Sequence, residues 1–273
     1  MSLARRHRDR ILAAKTVASA PTSGVDAAPA AALLPAAGAV NASPADRAAA
    51  QIALRYTHDL RRLKEIRSID KKIEAKREIV PQYRDWVAGI VAADAGVGTG
   101  LAAEVLPTFM VWLIDTGAYA DALDLVPFIF QHRVPMPSRY QRDAATIVME
   151  EIADNALKAQ GVGASFPIEI LDRVADLTGH LDIHDEVRAK LMKAIGIEQL
   201  REAEDLPAED AFGLLTIAVA TLNEAQRLHD RVGVKDRIKR GLKLMAAITA
   251  AREKAIADQI SEQGGPSTQD QAA

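Results

Sequence analysis

Four residues of the sequence have the types and the spacing of a metal site. Asp172, Asp176, His180 and His184 follow one another at steps of four. On one continuous helix their side chains would line a single face and could bind a metal ion. Gly179 interrupts the series, however, and glycine is typical of a helix end. The sequence therefore favours a solvated helix end over a metal site.

A second set resembles a nuclease motif. Asp70, Glu74 and Lys76 follow the order Asp…Glu-x-Lys, in which carboxylates hold a divalent ion and a lysine helps to activate water. Nucleases of that type place these residues on adjacent strands, whereas here they fall on one predicted helix. The sequence has no cysteine, and no Ser-His-Asp arrangement has usable spacing. We predict no catalytic residues, no metal ligands and no cofactor, and a helical binding protein rather than an enzyme.

The glycine-rich run at residues 96–100 invites comparison with a phosphate-binding loop. No Gly-Lys-Ser/Thr follows it and no strand precedes it, so the run predicts a flexible turn.

Basic residues are concentrated in the first third of the chain. Residues 1–84 contain 16 Lys or Arg and 8 Asp or Glu, a net charge of +8. The full chain contains 34 Lys or Arg and 37 Asp or Glu. Residues 85–273 therefore hold 18 basic and 29 acidic residues, a net charge of −11. Such asymmetry is typical of a basic end that faces nucleic acid, although a charged, solvated helix face is the alternative.

Two groups of basic side chains are the candidates for contact with DNA phosphates. The first group, at the N-terminus, is Arg5, Arg6, His7, Arg8, Arg10 and Lys15. The second group, on a predicted helix, is Arg61, Arg62, Lys64, Arg67, Lys71, Lys72 and Lys76.

The elements that would carry these residues are all helical. Apolar residues make up 49% of the chain and aromatic residues 4%, and no alternating strand pattern occurs. The most apolar stretch, residues 106–126, predicts two helices folded back on each other at Gly117. Such a hairpin needs further helices to bury its surface. We therefore expect an all-α fold of helical hairpins around a central buried hairpin, with no sheet.

The chain divides into five predicted segments. Residues 1–44 are a basic arm, unfolded on its own, and a flexible Ala/Pro linker. Residues 45–96 hold a long basic helix and the helix after it, and residues 97–180 form the central core. Residues 181–262 form C-terminal hairpins, and residues 263–273 a disordered tail. Within the last two folded segments we predict helices over residues 168–179, 185–203 and 208–229, with Gly196 as a candidate break in the second.

The long helix is predicted as one element over residues 45–80. Its apolar side chains step by three or four and form a narrow seam suited to a second subunit; they are Ile52, Tyr56, Leu60, Leu63, Ile66, Ile69 and Ile73. Elsewhere the longest strongly apolar run, residues 105–114, is well short of the roughly 20 residues of a membrane span, and no secretory signal is visible. We expect a soluble, cytoplasmic protein.

Several short blocks resemble the small terminase subunit of Peduovirus-type tailed phages. The blocks are S-x-A-x-R-H-x-x-R at residues 2–10, K-R-E-I-V-P at 76–81, W-V-A-G-I at 86–90, M-V-W-L-I-D-T-G at 110–117, A-L at 122–123, M-P at 136–137, D-E-V-R-A-K-L at 185–191 and G-V-K-D-R-I at 233–238. The block at 110–117 is the most specific. The matched order covers residues 1–15 and 70–245.

The resemblance implies a role in phage DNA packaging. In that family a homo-oligomeric ring recognises the cohesive-end site of concatemeric double-stranded DNA and recruits the large terminase subunit, which is an ATPase and nuclease. On charge grounds we expect DNA contact at the basic groups above, and we expect the acidic residues 181–273 to dock the large subunit. The Ala/Pro linker and a C-terminal tail without Lys/Arg enrichment depart from the family.

Two alternatives stay open. The family is often labelled the terminase endonuclease subunit, so a metal-dependent endonuclease is one. A helical-repeat scaffold without DNA affinity is the other, because the helices towards the C-terminus look tetratricopeptide-like.

Overall fold

The computed structural model describes residues 3–18 and 43–263, with side chains described as far as residue 260. The described residues form eleven α-helices and two short 3-10 turns, and contain no strand, so the all-α prediction is confirmed. The predicted linker at residues 19–42 and the tail beyond residue 263 lie outside the described residues. None of the described helices has both the length and the apolarity that a membrane span needs.

The chain forms two compact units. One contains Met1–Ile152 and Arg173–Leu181, and the other contains Ala153–Asp172 and Asp182–Ala273. In chain order the helices are α1 (Leu3–Ala18), α2 (Pro44–Glu65), α3 (Ile69–Ile79), α4 (Arg84–Ala93), α5 (Val105–Thr116), α6 (Tyr119–Gln131), α7 (Ala144–Gly161), α8 (Ile168–Thr178), α9 (Asp185–Asp205), α10 (Ala208–Leu228) and α11 (Lys235–Gln263). The 3-10 turns are Val80–Gln82 and Gly100–Glu104.

The predicted central hairpin is the core of the first unit. Every residue of α5 from Val105 to Ile114 is buried. The helix ends at Gly117, whose φ of 83° is left-handed, and the Ala118 N–H donates to the Leu113 carbonyl at 2.9 Å. This bond closes the helix end as a Schellman motif does, and it directs the chain into α6.

The N-terminal arm is a folded helix in this structure, contrary to the prediction of a free arm. α1 packs on α4, with Ala13 and Val17 buried. A Cβ added at Gly89 of α4 would lie 2.2 Å from the Arg10 carbonyl oxygen. The two backbones therefore meet at Gly89, and only glycine leaves room for that approach.

The single long helix predicted over residues 45–80 is also wrong. α2 ends at Glu65, Ile66 is extended (ψ 121°), and Ser68 caps α3 by accepting from the Lys71 N–H. The break follows from the capping preference of serine, which competes with helix continuation.

The apolar seam of α2 packs within its own chain. Ile52, Tyr56 and Leu63 are buried in the first unit. Ile69, past the break, is 72% exposed. The seam therefore gives no support to a second-subunit contact along its length.

The second unit is built from α9, α10 and α11 around two apolar clusters, one containing Leu222 and Val234 and the other Leu200 and Leu215. The predicted break at Gly196 does not occur, and α9 runs through it. A Cβ at Gly196 would lie 2.7 Å from the Leu222 side chain, so this glycine serves close helix packing. The tetratricopeptide-like arrangement stays a prediction.

Candidate nucleic-acid interface

A cleft of about 540 Å³ lies between α1 and α2 in the first unit. Its polar lining is strongly basic: Arg5, Arg8, Arg47, Arg55, Gln51 and Gln82 stand against one acid, Asp9. Such a set of donors is suited to phosphate oxygens.

Local sequence explains how the two walls of the cleft are built. Arg5 and Arg8 are three residues apart on α1, and Arg47, Gln51 and Arg55 follow at steps of four on α2, so each set shares a helix face. α2 starts with a capping box in which the Ser43 hydroxyl accepts from the Asp46 N–H at 3.1 Å and the Asp46 carboxylate accepts from the Ser43 N–H at 2.9 Å. These bonds also lower the pKa of Asp46.

Two other arginines of α1 face α4 instead of the cleft. Arg6 Nε donates to Asp85 Oδ2 at 3.2 Å, and Arg10 Nη2 donates to Asp85 Oδ1 at 3.3 Å. The Asp85 side chain is only 13% exposed. These bonds hold α1 against α4. In the first predicted group, Arg5 and Arg8 therefore line the cleft, whereas Arg6 and Arg10 bind Asp85. His7 and Lys15 are exposed.

The second predicted group divides in the same way. Arg61, Lys64, Arg67 and Lys71 are exposed, and no side-chain hydrogen bond or ion pair joins them to another described residue. Arg62 donates to Glu78 at 2.6 Å and ties α2 to α3, and Lys72 is half-buried. Lys76 is only 17% exposed and pairs with Asp115, which ties α3 to α5.

The W-L-I-D-T-G block has a structural role. The Trp112 ring lies 5.6 Å from the Tyr83 ring, edge to face, and 6.2 Å from the Tyr56 ring. Asp115 binds Lys76, and the Thr116 hydroxyl donates to the Trp112 carbonyl at 2.9 Å. The block thus anchors the central hairpin that supports the cleft helices.

A polar network fixes the connector after α6. Arg139 donates to Glu104 at 3.1 Å and also to the Tyr56 hydroxyl and the Thr108 hydroxyl. The Tyr56 and Thr108 hydroxyls are 2.7 Å apart. Burial raises the pKa of Tyr56 to about 12. Burial keeps the phenol of α2 protonated, whereas its hydrogen bonds with Thr108 and Arg139 act on the pKa in the opposite direction.

Neither chemical motif of the sequence assembles into a site. α8 ends at Thr178 and His184 precedes α9, so the Asp/His series does not share one helix. Asp70 and Glu74 are exposed on α3. Among residues 3–18 and 43–260, no three His, Asp or Glu side chains come together as metal ligands.

Sequence reasoning missed Arg47 and Arg55. Their spacing with Gln51 marks a polar stripe on α2, which is a visible pattern. The sequence does not reveal that α1 lies beside α2, because that position depends on the close approach of α1 to α4 at Gly89.

Comparison with known proteins then gives the family. The family model for phage small terminase subunits matches residues 53–186. The terminase endonuclease subunit of Escherichia phage P2 is 34% identical over 190 residues, which are 70% of this chain and 71% of that protein. The chain belongs to the phage small terminase subunit family. The resemblance seen in the short blocks is therefore confirmed, and membership implies a role in phage DNA packaging with a large terminase subunit.

No solved structure matches this small terminase subunit. The matched residues 53–186 begin inside α2. They include Arg55 and the W-L-I-D-T-G block, and they leave out α1 and Arg47. The family match thus includes the central hairpin beneath the cleft but only part of the basic residues that line the cleft.

Proposed function

We propose that this protein binds the cohesive-end site of concatemeric phage DNA as a homo-oligomer and directs the large terminase subunit to cut and package that DNA. The observation that carries the proposal is the α1–α2 cleft, where Arg5, Arg8, Arg47 and Arg55 converge beside a single carboxylate. Family membership supplies the packaging context.

The cleft acts first by neutralising phosphates. Guanidinium groups stay charged at every physiological pH and can bind a phosphate through two parallel hydrogen bonds. The exposed Arg61, Lys64, Arg67 and Lys71 extend the positive surface along α2 and α3.

Assembly and recruitment complete the proposal. Because the α2 seam packs inside its own chain, a second copy has other side chains to meet, and Leu54 and Ile69 are large apolar side chains that α2 and α3 leave exposed. The acidic residues 181–273 remain our candidate for docking the large subunit, on charge grounds.

The test is a titration of the full chain against a cohesive-end duplex and an unrelated duplex at several salt concentrations. Arg5→Gln/Arg8→Gln removes two cleft charges and keeps the helix-forming side-chain length. If both contact phosphate, the plot of log affinity against log salt becomes shallower by about 2. Arg84→Gln/Arg173→Gln removes the same charge from exposed pairs with Asp121 and Asp124, and should leave the slope unchanged.

Each outcome decides a part of the proposal. No binding of either duplex at low salt would support the scaffold alternative. Equal affinity for both duplexes would overturn recognition of the cohesive end. A slope that changes as much in the Arg84/Arg173 control as in the Arg5/Arg8 variant would remove the cleft from the DNA contact.

An intrinsic endonuclease is the second candidate, and it is favoured by the phage P2 relative, which is named a terminase endonuclease subunit. It predicts magnesium-dependent nicking of supercoiled DNA by the purified protein, lost on a single carboxylate change such as Glu74→Gln. Persistence of nicking in every such variant would point to a contaminating nuclease.

A further inference from the structure

The second unit carries a basic surface that the DNA contact proposed above does not use. Residues 235–243 read KDRIKRGLK, with five basic residues and one acidic residue, inside a part of the chain whose net charge is strongly negative. This is the start of α11.

Three lysines of this segment lie on one face. Lys235, Lys239 and Lys243 follow at steps of four, about 6 Å apart along the helix axis. All three are exposed, and none has an ion pair or hydrogen bond to another described residue. The nearby Arg240 differs, because it binds Glu204 at 2.5 Å.

The opposite face of α11 is fixed to the body of the unit. Ile238, Leu244, Met245 and Ile248 pack on the two apolar clusters. A Cβ at Gly241 would lie 2.6 Å from the Val219 side chain of α10, so the helices are in close contact. Since Gly241 lies roughly 160° around the helix from Lys239, the lysines point away from the body.

Cations also accumulate at the start of α11. Lys193 of α9 donates to the Val232 carbonyl at 2.6 Å, just before the helix. Burial and the positive charge of Arg237 lower the pKa of Lys193. Arg237 lies roughly 160° around α11 from Lys239, so this pair of cations belongs to the body side of the helix and is separate from the three lysines.

We propose that Lys235, Lys239 and Lys243, here named the α11 stripe, form a second, sequence-independent contact with the phosphate backbone of duplex DNA. The proposal rests on the proposed DNA-binding function. Lysine acts here as a point charge without base reading. The stripe's face carries one large exposed apolar side chain, Leu242 at 50% exposure, which is much less than the apolar core that a stable protein interface needs and in which lysine is depleted.

The test replaces the stripe in the full chain by Lys235→Gln/Lys239→Gln/Lys243→Gln and keeps its charge in the matched control Lys235→Arg/Lys239→Arg/Lys243→Arg. Affinity for both duplexes is measured against salt. For the glutamine variant, we expect the plot of log affinity against log salt to become shallower by about 2 to 3. At 0.1 M salt its affinity should fall at least about tenfold, equally for both duplexes. The arginine variant should bind as the wild type does.

The outcomes separate this proposal from the first. A glutamine variant with wild-type slope overturns the stripe and leaves the cleft standing. Loss in that variant, with no effect of Arg5→Gln/Arg8→Gln, supports the stripe and overturns the cleft. A wild type that binds no duplex overturns both. If the glutamine variant binds DNA normally but no longer retains purified large terminase subunit, the stripe is a protein-docking surface and the proposal is wrong.

Discussion

Asp85 holds the guanidinium groups of Arg6 and Arg10, which are thereby kept from a nearby phosphate. Asp85→Asn removes the charge that attracts them and leaves a side chain of the same shape. Because these arginines are about half exposed, the lost pairs should cost at most about 1 kcal/mol in the free energy of unfolding. We expect tighter DNA binding and a salt slope steeper by up to about 2.

The control for Asp85 is Asp121→Asn. Asp121 pairs with Arg84 on the same unit, and neither residue lines the cleft, so this variant makes the same change in net charge without releasing Arg6 or Arg10. Equal tightening in the two variants would show a general effect of charge, and the release of Arg6 and Arg10 would then play no part.

Tyr56 gives stability a dependence on alkaline pH. Its pKa is raised to about 12, above the ordinary value near 10. Between these values the unfolded chain loses the phenolic proton while the folded chain keeps it. Stability from this group is therefore complete below about pH 10 and is lost as pH rises towards 12. The loss amounts to roughly 2 kcal/mol.

Tyr56→Phe removes that titration. Urea unfolding at several pH values between 8 and 11.5 should give a shallower decline for the variant than for the wild type. Some decline will remain, because burial and Asp59 also raise the pKa of Tyr83. Parallel curves for the two proteins would contradict the role given to Tyr56.

The sequence marked the W-L-I-D-T-G block as specific without giving its reason. Gly117 was predicted correctly, because a left-handed helix end is a local requirement of the backbone. The pairing of Asp115 with Lys76 joins residues 39 positions apart and needs the fold. For the same reason nothing in the sequence distinguishes Lys76 from the other lysines of its helix, although its side chain is mostly buried.

At the scale of elements, the contact of α1 with α4 depends on Gly89. Gly89→Ala would place a methyl group 2.2 Å from the Arg10 carbonyl oxygen and 2.8 Å from the Ala13 Cβ. Backbone cannot yield as a flexible side chain can, so α1 must shift. We expect a loss of about 1 to 3 kcal/mol in the free energy of unfolding and faster amide exchange in α1.

Gly213→Ala is the matched control for this substitution. Gly213 lies inside α10 with open space where its Cβ would be, so the same change should stabilise the protein by about 0.5 to 1 kcal/mol. If Gly89→Ala also stabilises, α1 is not held against α4 at this point.

Helix prediction succeeded where one periodic pattern ran between clear end signals. α8, α10 and the central hairpin were predicted to within a few residues, because proline or glycine punctuates them. It failed at Ser68 and Gly196, for opposite reasons. A capping serine ended a helix that periodicity would have continued, and tight packing against Leu222 kept a glycine inside a helix that propensity would have ended.

At the scale of the whole molecule, composition predicted the all-α fold class correctly. It gave no sign that residues 153–172 belong to the second unit, because both ends of that segment fall inside helices, α7 and α8, where no linker composition marks them. Nor did net charge locate the α11 stripe, since a local excess of lysine is hidden in the total of an acidic region.

The cleft and the α11 stripe belong to different units, and their joint effect on one duplex is measurable. One variant combines Arg5→Gln/Arg8→Gln with the three lysine-to-glutamine changes. If both surfaces contact the same DNA molecule, the two decreases in salt slope should add, to about 4 to 5 together. Isothermal titration of the wild type should then show one binding event for each duplex.

The alternative is that each surface binds its own duplex. In that case the wild type would show two DNA-binding events, and each variant would lose one of them while the salt slope of the other stayed unchanged. Stoichiometry therefore decides between the two arrangements even if affinity falls in both. One shared event would mean that a packaging subunit with an acidic second half still uses that half to hold DNA, through a local excess of lysine on one helix.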